Sequence, residues 1–422
     1  MKPKTFVILL IVCAALGGTA YLLVSGDGRT EPASEMGAPL FSSLPVNETA
    51  RIDIQGPAGQ VTLQKEDPVW TVAERYGYPA NFDDIVQTVK KLRDAVVGRS
   101  FEADEKTRAR LGLLPPDADA PADQRATRLA LKSEGGDALA EILLGKARQT
   151  TSGTGGHYLM RESENRIYLV DASFRTVKTD PAEWIDKFLL KIPAADVRSV
   201  AFRRAGETIY QIERPEKGKD PAFTQRPEGY ADRTVKTPKL NSLFGVLANF
   251  QIADVAAPEI PKEKALGDDA VLEFRLFDGT IYRIRPGTAV TGNNETEDAD
   301  PAYYVTVSAD YEAPPEPPAP EPDEATETTS TDAGGGEDAP DEPETADAAE
   351  DAAAEAEKRK QEQARLKQAA ADRDTKISKW IYIIPEWRHS NLVTDPEDFF
   401  EKPADTAAEA PELPESSNPA IE

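Results

Sequence analysis

The sequence predicts an α+β fold of two tandem repeats. Each repeat is expected to pair an antiparallel sheet with one amphipathic helix and a short C-terminal helix, and an N-terminal transmembrane helix precedes them. Three observations predict this. Phe6 to Val24 is a run of 19 residues without a charge. From Arg51 onward, short stretches alternate apolar and polar residues between clusters of Gly, Pro and Asp. A second series of the same stretches begins near Val197, which points to a duplication.

The uncharged run comes first. At about 1.5 Å per residue it spans roughly 28 Å, the thickness of a bilayer's hydrocarbon core. Lys2 and Lys4 precede it, and Asp27, Arg29 and Glu31 follow. The positive-inside bias leaves the short N-terminus in the cytoplasm and the bulk of the chain outside. A cleaved signal peptide is a rival reading, with Gly18-Thr19-Ala20 as its cleavage site. A lipoprotein signal at Cys13 is another. Tyr21 to Val24 carries the apolar run past the first site, and Val12 stands where the second needs a small residue. Residues 1–25 are therefore read as a membrane anchor, and 26–46 as a Gly/Ser/Pro-rich linker. Cys13 is the only cysteine, which excludes an intrachain disulfide and a thiolate metal cluster.

The first repeat is expected over 47–192. "RIDIQG" and "QVTLQKE" form a hairpin around Gly56 to Gly59, and "PVWTV" adds a strand. Asn81 caps a helix whose apolar positions are Ile85, Val86, Val89 and Leu92. Strands "TRLALKS", "ALAEILLG", "HYLMRE" and "RIYLVD" follow. "TDPAEW" combines Asp180 as a cap, Pro181 at the first helical position and Glu183 three residues after the cap, so a closing helix is expected.

The second repeat is expected over 193–310 and 376–401. "VRSVAFRRAGETIYQIER" matches the opening hairpin, and Phe223 stands where Trp70 stood. Gly287 ends a strand as Gly145 does. The last strand and helix are then delayed. "IYII" at Ile381 follows "IYLV" at Ile167 by 214 residues, and Thr394 of "TDPEDFF" follows Thr179 by 215. Residues 311–375 thus read as an acidic disordered insertion in a hairpin turn, with a solvated helix in its second half. Residues 402–422 read as a disordered acidic tail.

The formal charge is −26. Glu312 to Glu357 holds 17 acids and no Lys or Arg. No basic patch stands out, which excludes nucleic acid as the expected ligand.

Motifs for chemistry are sparse. "SGTGGH" at Ser152 to His157 precedes a strand, so no helix N-terminus is available for phosphate. His157 and His389 are the only histidines, and neither GxSxG nor HExxH occurs. Asp180 with Glu183, and Asp395 with Asp398, fit helix capping better than paired catalytic carboxylates. Trp70, Trp184 and Trp380 lie in repeat-matched elements and are expected in the core. Trp387 in "PEWRHS", beside Arg388, matches nothing and is a candidate surface contact. No catalytic, cofactor-binding or metal-ligating residue is expected, and no cofactor.

Several stretches resemble the DUF4340 family, a bacterial domain of unknown function: "VNETARIDIQGPAGQVTLQKEDPVWTV", "ARLGLLPP", "ILLGK" and "HYLMRESENRIYLVDAS". Family members carry an N-terminal membrane anchor and accompany auxiliary subunits of ABC transporters of the gliding-motility type. The resemblance implies a single-pass protein of the bacterial inner membrane, with its bulk in the periplasm and envelope partners such as ABC transporter subunits. The expected function is non-enzymatic and accessory. A glycan- or peptide-binding module using a cleft between the repeats is the alternative.

Overall fold

The computed structural model describes residues 36–66, 68–150, 153–267, 269–290, 300–314 and 344–402. The expected anchor at 1–25, part of the insertion and most of the tail lie outside them. The chain divides into two compact units, Met1–Asp186 and Lys187–Glu422.

In the first unit the strands are β1 (Arg51–Gln55), β2 (Gln60–Glu66), β3 (Val69–Val72), β4 (Tyr78–Pro79), β5 (Val97–Glu102), β6 (Thr127–Lys132), β7 (Ala138–Thr150), β8 (Gly153–Arg161) and β9 (Arg166–Val170). They form one sheet in the order β4-β3-β2-β1-β6-β7-β8-β9-β5. The register explains the alternation in the sequence. Ile52 faces Leu63 and Leu131, Ile54 faces Val61 and Leu129, and Leu129 faces Ile142. All these side chains are buried, so one face of the pleat is apolar. Helix α1 (Phe82–Asp94) buries Ile85, Val89 and Leu92, spaced by four and three residues. Asn81 caps it, its side chain accepting from the Asp83 and Asp84 amides. Helix α2 (Glu105–Leu111) follows β5.

The second unit contains β10 (Phe188–Leu190), β11 (Val197–Arg204), β12 (Glu207–Glu213), β13 (Ala222–Gln225), α3 (Thr237–Phe244), β14 (Phe250–Gln251), β15 (Asp254–Val255), α4 (Lys262–Leu266), β16 (Ala270–Leu276), β17 (Thr280–Ala289) and β18 (Ala302–Tyr311). After them come α5 (Glu344–Ile377), β19 (Tyr382–Pro385) and α6 (Glu386–Leu392). Its main sheet runs β13-β12-β11-β16-β17-β18-β19-β15, and β10 pairs β14 separately. This is the strand order of the first sheet without its β4. In both, a strand that follows the amphipathic helix, β5 or β15, lies at the far edge beside the last strand.

The predicted fold class needs correction. The structure is mostly antiparallel sheet with few helices. The two closing helices are single 3-10 turns, Pro181–Glu183 and Pro396–Phe399. Asp180 and Asp395 do cap them, accepting from the Ala182 and Glu397 amides. The turns stop because the chain next pairs as extended backbone, Ile185 with Ala80 and Phe400 with Val235. Nor is a transmembrane helix seen: among the described residues no helix is long and apolar enough to cross a membrane. The longest, α5, has 34 residues but is rich in Glu, Lys, Arg and Ala.

The last turns of α5 lie along β18. Ala370 and Ile377 are buried, while Ala354 to Glu362 are exposed. Asp374 accepts from the Ala309 amide at 2.9 Å, and Arg373 donates to the Tyr282 hydroxyl at 2.7 Å. Strand β19 pairs only Ala302 to Val305 of β18. Beyond it the helix covers the remaining edge and satisfies a main-chain donor there.

Glycine is required where a helix end meets a strand. A Cβ on Gly145 would lie 2.5 Å from the Leu111 carbonyl, at the end of α2. One on Gly287 would strike the carbonyls of Ala265 in α4 and Tyr304 in β18. These are main-chain atoms that cannot swing away.

Two outcomes are expected. Gly287→Ala should destabilise the second unit by about 1–3 kcal/mol, read by denaturant unfolding. A chain ending at Asp310 lacks β19 and the Phe399–Phe400 segment, so its second-unit transition should vanish from a calorimetric scan. An unchanged melting curve would count against this.

Candidate functional site

Three concavities are lined entirely by second-unit residues, and they differ in how their polar groups are satisfied. The first, about 360 Å³, lies where α5 meets the sheet. Its charged groups already have partners: Lys217 pairs Asp196 at 2.9 Å, and Arg373 bonds Tyr282.

The second, about 330 Å³, is lined in part by Arg198, Arg203, Arg275 and Glu312. It adjoins Glu273, which is 3% exposed and receives three guanidinium groups. Arg275 donates to one carboxylate oxygen at 2.8 Å and Arg283 to the other at 2.9 Å, while Arg203 stands at 3.7 Å. Burial alone would raise the Glu273 carboxyl. The hydrogen bonds from Arg283 and Arg275, with the Arg275 and Arg203 charges, hold it below its ordinary value instead. Asp310 and Glu312 pair the outer ends of Arg283 and Arg275. The charges balance, three against three, and the network locks adjacent strands together.

The third concavity, about 280 Å³, holds the candidate site. Pro385 ends β19 and cannot continue a ladder as donor, and α6 starts at the next residue. The helix directs Trp387 outward, 60% exposed, and Arg388 inward, 8% exposed. The Arg388 guanidinium lies 4.4 Å from the Trp387 ring and 5.5 Å from the Phe250 ring. It donates once, from Nη1 to the Asn249 carbonyl at 2.8 Å. Its Nε is buried with no hydrogen-bond partner. Among the described residues no carboxylate pairs it, and burial pushes the group below its ordinary value with no acid opposing. Ser242, Asn249, Asn391 and Thr394 complete the lining with neutral polar groups.

A buried cation without a counter-ion is costly. Two aromatic faces and one carbonyl offset part of that cost. Arg214 is similar, 6% exposed, bonded to the Ala194 carbonyl and stacked on Phe244. However, Arg214 lines none of these three concavities, whereas Arg388 does.

The other residues singled out in the sequence are structural. Trp70 and Trp184 are buried, and Trp184 donates to the Lys178 carbonyl at 2.9 Å. Trp380 is half-buried. His389 stacks on Tyr303 with ring centroids 3.9 Å apart. His157 is buried in β8, its Nε2 donating to the Gly145 carbonyl at 2.8 Å and its Nδ1 accepting from the Phe174 amide at 3.3 Å. The sequence marks Trp387 with Arg388 beside it but not the burial of Arg388 without a counter-ion, because that is a property of its packed surroundings.

Residues 70–269 match the family model described as a domain of unknown function, DUF4340. The family resemblance read from the sequence holds over this span, a little under half of the chain. The match runs from β3 in the first unit to the edge of β16 in the second, so Trp387 and Arg388 lie beyond it. No curated protein and no solved structure matches the chain.

A pH dependence arises from His157. Burial pushes its imidazole below 6.5, with the Gly145 hydrogen bond opposing and the Arg175 charge adding to the effect. Below pH 6.5 the unfolded chain takes up a proton that the folded chain does not, so stability falls as pH falls through this region. In urea titrations, His157→Gln should cost most above pH 6.5. The gap to wild type should narrow toward pH 5.

Proposed function

We propose that the chain is a non-enzymatic, extracytoplasmic accessory protein of the bacterial cell envelope. Its place is at the inner membrane, and it contacts a protein partner through the Trp387–Arg388 concavity. The finer form of this reading is an auxiliary component of an ABC-type transport system, which the DUF4340 resemblance supports.

One observation carries the reading: an exposed tryptophan stands beside a buried arginine whose charge no described residue neutralises. Trp and Arg are the residue types that dominate binding energy at protein interfaces, usually at the centre of a desolvated patch. Trp387 covers no core, and its ring is stacked with a cation that packing holds in place. Such a pair is already organised for contact, so little side-chain freedom is lost on binding.

The test is a photo-crosslinking residue placed at Trp387 in the full chain, in native membranes. Discrete adducts with an envelope membrane protein are expected, with transporter subunits among them. The same residue at Glu134, exposed in the first unit's β6–β7 turn, should not give these adducts. Recovery of the chain alone from the Trp387 position would overturn the reading.

A further inference from the structure

We propose that the Trp387–Arg388 concavity binds a carboxylate carried next to an apolar or aromatic group on an extended protein segment. The inference rests on reading this concavity as the contact site, and it names the chemistry recognised there.

Arg388 is the centre of the site. Its guanidinium presents five N–H donors in a planar fork, and a carboxylate accepts two of them at once. Here one donor is used by the Asn249 main-chain carbonyl, and among the described residues no acid pairs the group. The other arginine clusters of the second unit carry their own acids: Glu273, Asp310 and Glu312 for Arg275 and Arg283, and Glu213 for Arg198. Arg388 therefore lacks what those groups have, in a concavity that solvent or a ligand can enter. A carboxylate placed there would give a buried charge the counter-ion it lacks.

The surroundings limit what carries the carboxylate. Trp387 forms a flat, exposed wall, and Val246 and Leu243 add apolar surface. The volume, about 280 Å³, lies just below the range of roughly 300–1,000 Å³ typical of small-molecule pockets. It suits one or two side chains of a partner rather than a whole sugar chain. Ser242, Asn391 and Thr394 are neutral, so they orient a ligand without repelling an anion. The formal charge of −26 repels acids at long range. Recognition must then come from short-range pairing in the concavity.

The probe is N-acetylphenylalanine, which joins a carboxylate to an aromatic ring. Its neutral amide, N-acetylphenylalaninamide, controls for partition into detergent. Calorimetric titration of the full chain in detergent should give saturable binding of the acid, at least tenfold tighter than the amide. Arg388→Gln should weaken the acid at least tenfold and leave the amide unchanged. Arg388→Gln also removes the bond to Asn249, so a second variant guards against misfolding. Asn391→Asp adds a carboxylate to the lining of the concavity, one helical turn on from Arg388, at almost no change in volume. It should abolish binding of the acid while near-ultraviolet circular dichroism stays native.

Equal affinity for acid and amide would overturn the proposal. So would wild-type affinity in Asn391→Asp. Tighter binding of glucuronate than of N-acetylphenylalanine would replace a protein segment with an acidic sugar. Equal competition by inorganic phosphate would reduce the site to a general anion site. Failure here with Trp387 adducts intact would remove the carboxylate chemistry alone. Loss of both would remove the contact site itself.

Discussion

The second unit depends on a ladder of four residues. Strand β19 pairs Ala302 to Val305 of β18 on one side and Asp254 to Val255 of β15 on the other. It is an interior strand, although the chain reaches it only after leaving the sheet at Tyr311. The buried residues Tyr382 and Ile384 fix the register, because a one-residue slip would turn both to the opposite face. Everything downstream is placed by this return. Phe400 stacks on Phe223 and Tyr230, and Phe399 packs edge-on against Tyr210. The Lys236 amide donates to the Phe399 carbonyl, which ties the closing turn to the start of α3. The position of α6, and with it the Trp387–Arg388 pair, is set by where β19 stops.

Much of the sheet architecture is legible in the sequence because strands of period two write their buried face directly. The hairpin around Gly56 to Gly59 is β1 and β2, and Asn81 does cap α1. Other features are not legible, for physical reasons. "PEWRHSNL" matches nothing in the first repeat, and its turn into helix at Glu386 is not announced by any cap residue. The "TDP" motifs specify a cap and a first turn, but the path of the backbone after that turn depends on pairing elsewhere. Those pairings, Ile185 with Ala80 and Phe400 with Val235, join residues far apart in sequence. The insertion helix is readable from composition. Its docking is not, because Leu366, Ala370 and Ile377 are too sparse to mark an apolar face.

The site illustrates the same limit for electrostatics. A sequence shows how many acids and bases exist, and this chain has 75 acids for 49 Lys and Arg. It does not show which of them meet. With acids in such excess, an arginine left without one is unexpected from composition. Glu273 shows the reverse: one buried acid gathers three arginines on neighbouring strands. Tertiary structure has gathered three arginines in one network and left others, Arg388 and Arg214 among them, without an acid.

The delayed return of the chain also has a consequence in time. Ribosomes add about 5–20 residues per second. Some 70 residues separate Tyr311 from Tyr382, so roughly 4–14 s pass between the emergence of β18 and that of its partner. The first unit has no such gap, since β8 and β9 are joined by a short turn and can zip as they appear. For those seconds β18 stands open along the side that β19 will fill. The segment made just before the missing strand is the end of α5, the part that lies along β18. A nascent chain would therefore gain the helix that covers one part of the open edge slightly before the strand that pairs the rest.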